Sequence, residues 1–194
     1  MGITGRPYGN CTDSELMQGV LERDPHAFSE LYDRYAAEMA GFFYRRLGSD
    51  EEKARDFLHD LFYKVLHQPE RFTQGKPVRP WLYTLAMNMC RNEYRSLKVQ
   101  EEYRLGAACG IEGFAPEPPG TIDRARFAEA LAGRLEELPP SHREVFRLRF
   151  GEELSLAEIA GVLGIPEGTV KSRLFYALKT LASKLRVFEP LNSS

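Results

Sequence analysis

Between Glu167 and Lys179 the chain reads EGTVKSRLFYALK. At about 100° per residue, Thr169, Ser172, Tyr176 and Lys179 share one face of a helix, with Phe175 near its edge. Lys171 and Arg173 flank that face, one on each shoulder. Small polar and aromatic groups in the middle of such a face can reach base edges and thymine methyls. Cations on the shoulders can reach the phosphates that border a major groove. The same pattern also describes an ordinary amphipathic helix with a solvated outer face, and spacing alone leaves both readings open.

The elements that would position this face are legible upstream. Ser155 followed by Glu158 has capping-box spacing, so a helix begins there. Leu156, Ile159, Ala160 and Leu163 recur at i, i+3, i+4 and i+7, which is one helix face. Gly164 supplies a left-handed stop, and Pro166 suits the first turn of the next helix. In that helix Val170, Leu174, Ala177, Leu178, Leu181 and Leu185 form the inward stripe. Two short helices with stripes so placed pack only by crossing steeply, as a helix-turn-helix does. Pro139-Pro140-Ser141 opens a preceding helix to Phe150 that carries Arg143, Arg147 and Arg149.

A second chemistry-bearing stretch lies earlier. Gln68 to Pro80, QPERFTQGKPVRP, is too rich in proline and glycine for a continuous helix. Phe72 stands there among Arg71, Lys76 and Arg79, a mix that suits stacking or pocketing an unpaired base; a ring tucked into the core is the plainer alternative. From Trp81 to Leu97 helical spacing returns, with Leu82, Leu85, Ala86 and Met89 as an apolar stripe. Thr84, Asn88, Arg91 and Arg95 form a polar stripe, and Tyr83, Met87, Cys90 and Tyr94 a third strip. From Lys76 to Lys98 five Lys or Arg face one acid, Glu93, which makes this the most basic part of the first half.

The helix expected from Glu51 to His67 is the most regular in the chain. Ala54, Phe57, Leu58, Leu61, Phe62, Val65 and Leu66 face inward, and Asp56, His59, Asp60 and Tyr63 face out. That outer face is either plain solvated surface or a docking face for a basic partner.

Composition narrows the classes. A formal net charge of −2 excludes a bulk polycation, so any affinity for nucleic acid must reside in local patches. No apolar run approaches the ~20 residues a membrane span needs, and MGITGRPYGN has no secretory apolar core, so no membrane insertion and a cytoplasmic location are expected. Cys11, Cys90 and Cys109 are few, odd in number and far apart, which fits a reducing compartment without a disulfide framework. No nucleophile–His–acid set, phosphate-binding glycine loop or metal-ligand spacing is present, and no catalysis, cofactor or metal is expected.

The fold class is all-α, two small helical domains joined by a flexible linker, the C-terminal one a helix-turn-helix. The expected boundaries are a mobile tail over 1–12, a first domain over 13–97, a Gly/Pro-rich linker over 98–121, a second domain over 122–187 and a tail over 188–194. Within the first domain Thr12 or Asp13 caps a short helix, Asp24-Pro25 breaks it, and a long helix runs from about His26 to Leu47. In the second, spacing resumes near Ile122 with Ala125, Phe127, Ala130, Leu131 and Leu135.

Taken together, AFSELYDRYAAEM, ARDFLHDLFYKVL and RPWLYTLAMNMCRNEYR, followed by LEELPPSHREVFRLRFGEELSLAEIAGVLGIPEGTVKSRLFYALKTL, resemble a bacterial sigma factor of the extracytoplasmic-function group. The resemblance covers about Asp13 to Leu185. It implies a first domain that binds core RNA polymerase through Asp56, His59, Asp60 and Tyr63. It implies that Phe72, Lys76, Arg79, Trp81, Asn88, Arg91, Asn92 and Arg95 hold the melted −10 strand. It implies that Arg147, Thr169, Lys171, Ser172, Arg173, Phe175, Tyr176 and Lys179 read the −35 element as duplex. Promoter DNA, core RNA polymerase and an anti-sigma factor are the implied partners. The chain departs from the family pattern at three positions: His59 where Gln is frequent, Asn92 where Asp is frequent, and Tyr176 where a basic residue is usual. The rival class is a stand-alone helix-turn-helix repressor or activator that dimerises on a palindrome.

Overall fold

The computed structural model describes residues 8–105 and 131–185, with side chains over 8–97 and 131–183. Cys109, the linker beyond Leu105, the expected restart at Ile122 with Ala125, Phe127 and Ala130, and the tail over 188–194 lie outside the described residues. The described residues are helical, without a strand, and the chain separates into two compact units between Gly110 and Ile111.

The first unit is built from α1 (Asp13–Leu21), α2 (Pro25–Arg46), α3 (Glu51–His67) and α4 (Val78–Leu105). Local chemistry sets their starts. Thr12 caps α1 through a complete capping box with Glu15, and Asp24 and Asp50 accept from the first-turn amides of α2 and α3. Helix α2 is the centre and packs against the other three. Leu31, Tyr35, Met39, Phe42 and Phe43 of α2 are buried against Leu16, Met17 and Val20 of α1, Leu61, Phe62 and Val65 of α3, and Leu82, Tyr83 and Met87 of α4. Gly19 allows the close crossing of α1 and α2, because a Cβ there would lie 2.5 Å from that of Ala27.

Three expectations change here. Residues 8–12 are not a mobile tail: Tyr8–Asn10 forms a short 3₁₀ turn, and Arg34 of α2 donates to the Cys11 carbonyl at 2.8 Å and the Tyr8 carbonyl at 3.1 Å. The Tyr8 hydroxyl also donates to Asp24, and that bond, with the His26 amide, holds the Asp24 carboxyl below the usual carboxylate range. Helix α4 starts at Val78 and continues through Leu105, past the expected end at Leu97. Pro80 is tolerated in its first turn, where amides have no helical partner in any case. The buried stripe of α4 is Leu82, Tyr83, Ala86, Met87 and Cys90, whereas Leu85 and Met89 are half-buried. The third strip thus belongs to the core, because α4 must cover both α2 and α3.

The second unit contains the helical residues 131–136 (α5), α6 (Pro140–Phe150), α7 (Leu156–Leu163) and α8 (Glu167–Leu185). Helix α8 packs on both α6 and α7. The Ser155–Glu158 capping box is complete, and Gly164 ends α7 at φ +66°, a left-handed conformation that costs glycine nothing. Leu135, Leu138, Ala177 and Leu181 form one core cluster with Leu131 and Phe146. Ile159 and Val162 are the buried residues of α7, so its inward face is one step round from the expected Leu156–Leu163 stripe. Leu178, expected inward, is 42% exposed.

Candidate nucleic-acid and partner interfaces

Helix α8 carries the clearest outward face. Ser172, Lys171 and Lys179 are exposed, Thr169 and Arg173 are half-buried, and Phe175 and Tyr176 are 61% and 55% exposed. The two rings meet edge to face at 5.5 Å, and Tyr176 also meets the His142 ring of α6 at 6.3 Å. The Ser172 hydroxyl donates to the Thr169 carbonyl at 3.0 Å, so its lone pairs point outward as acceptors. Lys171 pairs with Glu167 at 2.8 Å one turn back, an exposed contact weak enough to release the ammonium to a phosphate. This face is therefore aromatic beside its centre line and cationic at the shoulders, with Lys171 paired to an exposed acid.

Arg147 is placed differently. Its Nη2 donates to Glu136 Oε1 at 2.6 Å, and Arg143 donates to the other oxygen of the same carboxylate. Arg143 also donates to the carbonyls of Glu136 at 2.5 Å and Leu138 at 3.1 Å. One acid thus fastens the end of α5 to α6 through two largely covered guanidinium groups. Arg147, expected on the DNA side, is engaged in the fold.

In the first unit the basic loop divides. Phe72, for which a base-stacking ring and a ring tucked into the core are both open readings, is only 4% exposed and sits edge-on to Trp81 at 5.1 Å, as the core reading has it. Burying an aromatic ring is worth more than leaving it in water, and the loop closes over it. Arg79 donates through Nε to Glu38 of α2 at 2.7 Å, and its guanidinium lies over the Tyr83 ring at 5.5 Å. Tyr83 donates to the same Glu38 oxygen at 2.9 Å. Phe72 and Arg79 therefore tie the loop onto the helices. Lys76 remains exposed at the loop tip. Trp81, Asn88, Arg91, Asn92 and Arg95 fall within about 100° of one another around α4, with Asn88, Asn92 and Arg95 exposed and Trp81 and Arg91 half-buried.

On α3, Asp56, His59, Asp60 and Tyr63 are all exposed, and the Tyr63 ring stacks on His67 at 3.9 Å. Next to them lies an open groove of about 300 Å³ between α2 and α3, lined by Phe28, Tyr32, Arg55, Leu58, His59, Phe62, Tyr63 and Leu66. Sequence reasoning missed its α2 wall. The signal was present: Phe28, Leu31, Tyr32 and Tyr35 make the apolar stripe of α2 too broad for one contact, and Tyr32 is 38% exposed. Among the described residues no His, Cys, Asp and Glu cluster could hold a metal, and no helix is long and apolar enough to cross a membrane.

These surfaces lie within recognisable units. Residues 31–99 match Sigma-70 region 2 and residues 134–183 match Sigma-70 region 4. The chain is 34% identical over 173 residues to the ECF RNA polymerase sigma factor SigL of Mycobacterium tuberculosis, covering 88% of this chain and 95% of that one. It is 30% identical over 179 residues to the ECF RNA polymerase sigma factor BldN of Streptomyces coelicolor, covering 90% and 67%. Its fold is that of the sigma factor RpoE solved with the anti-sigma factor NepR from Bartonella quintana, at a TM-score of 0.65 and 24% identity over 82% of this chain and 97% of that one. The capping box, left-handed glycine and outward face of the second unit, together with both family regions in this order, make the chain a member of the extracytoplasmic-function RNA polymerase sigma factors.

Proposed function

We propose that this sigma factor binds core RNA polymerase and sets where transcription starts by reading two DNA elements in two physical states. The outward face of α8 reads the −35 element as duplex. The observation that carries this is an exposed face with hydroxyl and aromatic groups in its middle and Lys171 and Arg173 on its shoulders. Its affinity comes from phosphate contacts and its selectivity from base edges.

Trp81, Asn88, Arg91, Asn92 and Arg95 of α4, with Lys76 at the loop tip, hold the −10 element as a melted strand. Aromatic and cationic groups on one helix face favour unpaired bases, whose capture offsets the few kcal/mol of unstacking. Asp56, His59, Asp60 and Tyr63 of α3 dock the polymerase, and the neighbouring groove extends that surface. The family regions covering residues 31–99 and 134–183 support this division of labour. The chain itself performs no covalent step; nucleotide addition belongs to the polymerase. An anti-sigma factor is a further partner, a reading supported by the relative solved with NepR. The working site is the cytoplasm, where promoter DNA and polymerase are found.

Run-off transcription with purified core polymerase tests the proposal. Adding the chain should produce discrete transcripts from selected promoter fragments, and Lys171→Ala with Arg173→Ala should reduce them and flatten the salt dependence by about one unit of slope per lost phosphate contact. Transcripts unchanged by the chain would overturn it.

A further inference from the structure

The middle of the α8 face has an unusual chemical character for a duplex reader. Guanine is read best by a two-pronged cation aimed at its major-groove edge. Here no guanidinium stands on that line: the cation nearest to it, the exposed Lys179, carries a single ammonium about one turn beyond Tyr176, and the other cations stand elsewhere. Lys171 and Arg173 lie about 100° to either side of Ser172 around the helix, on the shoulders. Arg143 and Arg147 of α6 are held by Glu136, and Arg149 donates to the Leu154 carbonyl at 3.0 Å. What projects beside the Ser172 centre line is Tyr176 on one flank and Phe175 on the other, at 55% and 61% exposure.

These rings are positioned as well as exposed. Each meets the other edge to face, and Tyr176 leans on His142 from a separate helix, so its ring is braced from two sides. Ser172 offers acceptor lone pairs and has its proton engaged by Thr169. The apolar ring surface of Tyr176 and Phe175 complements the thymine C5-methyl group.

We propose that Tyr176 is a specificity-determining residue that reads thymine through its methyl group, with Phe175 as the second wall of the same methyl pocket. This rests on the duplex-reading role of α8 and narrows it: the upstream element recognised by this chain carries thymine at the step facing Tyr176, where a cation in that place would have demanded guanine.

The test uses the full chain with core polymerase and a duplex library randomised in the upstream block. Selection should enrich a motif with thymine at one or two adjacent positions. Replacing that thymidine by deoxyuridine removes only the methyl and should weaken binding roughly fourfold, the worth of one buried methyl. Tyr176→Phe should keep the deoxyuridine penalty. Tyr176→Ala should abolish it and bind both duplexes equally, with the fold intact because the ring is exposed. Enrichment of guanine at the facing step, or a penalty that survives Tyr176→Ala, would overturn the assignment while leaving duplex reading by α8 in place. No enriched motif at all would overturn both.

Discussion

The loop over 72–80 and the outer face of α8 contain the same kinds of residue, aromatics beside cations, and the fold uses them in opposite ways. In the loop, Phe72 is buried under Trp81 and Arg79 is claimed by Glu38. On α8, Phe175 and Tyr176 stay in solvent and Lys171 meets only an exposed glutamate. The difference lies in what stands next to each residue. A ring within reach of a core joins it, and a guanidinium within reach of a half-buried carboxylate pairs with it. Among the described residues, the rings on the outer face of α8 stay exposed and Lys171 has only an exposed acid beside it, so these groups are not spent on the fold. Residue type marks where binding chemistry can be, and the neighbours decide whether it is spent on the fold.

The contrast can be broken most sharply by truncating one ring from each side. Phe72→Ala should destabilise the first unit by about 3–5 kcal/mol, the usual cost of emptying an aromatic core site. Phe175→Ala should stay within about 0.5 kcal/mol and lose promoter binding instead. Urea unfolding of the full chain beside a promoter-binding assay reads both. Equal stability losses would erase the distinction.

A smaller effect is expected at the acid that engages two arginines. Glu136→Ala leaves Arg143 and Arg147, with side chains 16% and 18% exposed, without their shared anion. A cost of about 2 kcal/mol follows, below that of breaking a fully buried pair because water still reaches the site. If thermal unfolding is unchanged while DNA binding improves, Arg147 belongs with the external face after all.

Next, Arg79→Ala and Arg95→Ala separate the two uses of arginine within the first unit. Arg79→Ala should cost about 1 kcal/mol of stability, since its carboxylate partner is a third or less exposed and retains Tyr83. Arg95→Ala should leave stability alone and weaken capture of the melted strand, measured with a fluorescent single-stranded probe in the polymerase complex. The reverse outcome would exchange their roles.

The smallest effect is a pH dependence inside the first core. Burial, and then its hydrogen bond to the Asp13 carboxylate, raise the Tyr35 phenol above its ordinary value of about 10. Its contribution to stability is complete below pH ~10 and is lost as pH climbs beyond that, because only the unfolded chain ionises easily there. Tyr35→Phe should flatten the alkaline limb of a stability–pH curve, and an unaltered limb would assign that loss to other groups.

The sequence was most informative where a residue acts on its near neighbours. Thr12 before α1 and Ser155 with Glu158 before α7 marked helix starts within one turn, and Gly164 marked a stop. The family resemblance rested on runs that the two matched regions cover, 31–99 and 134–183, apart from the first four residues of AFSELYDRYAAEM. It was least informative where a partner is distant. The α2 wall of the groove, the true core stripe of α4 and the exposure of Leu178 depend on how helices cross, which periodicity does not encode.

By itself, then, the amino-acid order determined the helices, their caps, the two-part architecture and the kind of protein this is. Only the tertiary structure decided which charges and rings remain for a ligand. Arg79 and the Glu38 that takes it up are 41 positions apart, and Arg147 and Glu136 are 11 apart. Capping bonds span three residues and are written into local spacing, whereas an ion pair across helices exists only once packing has brought its ends together.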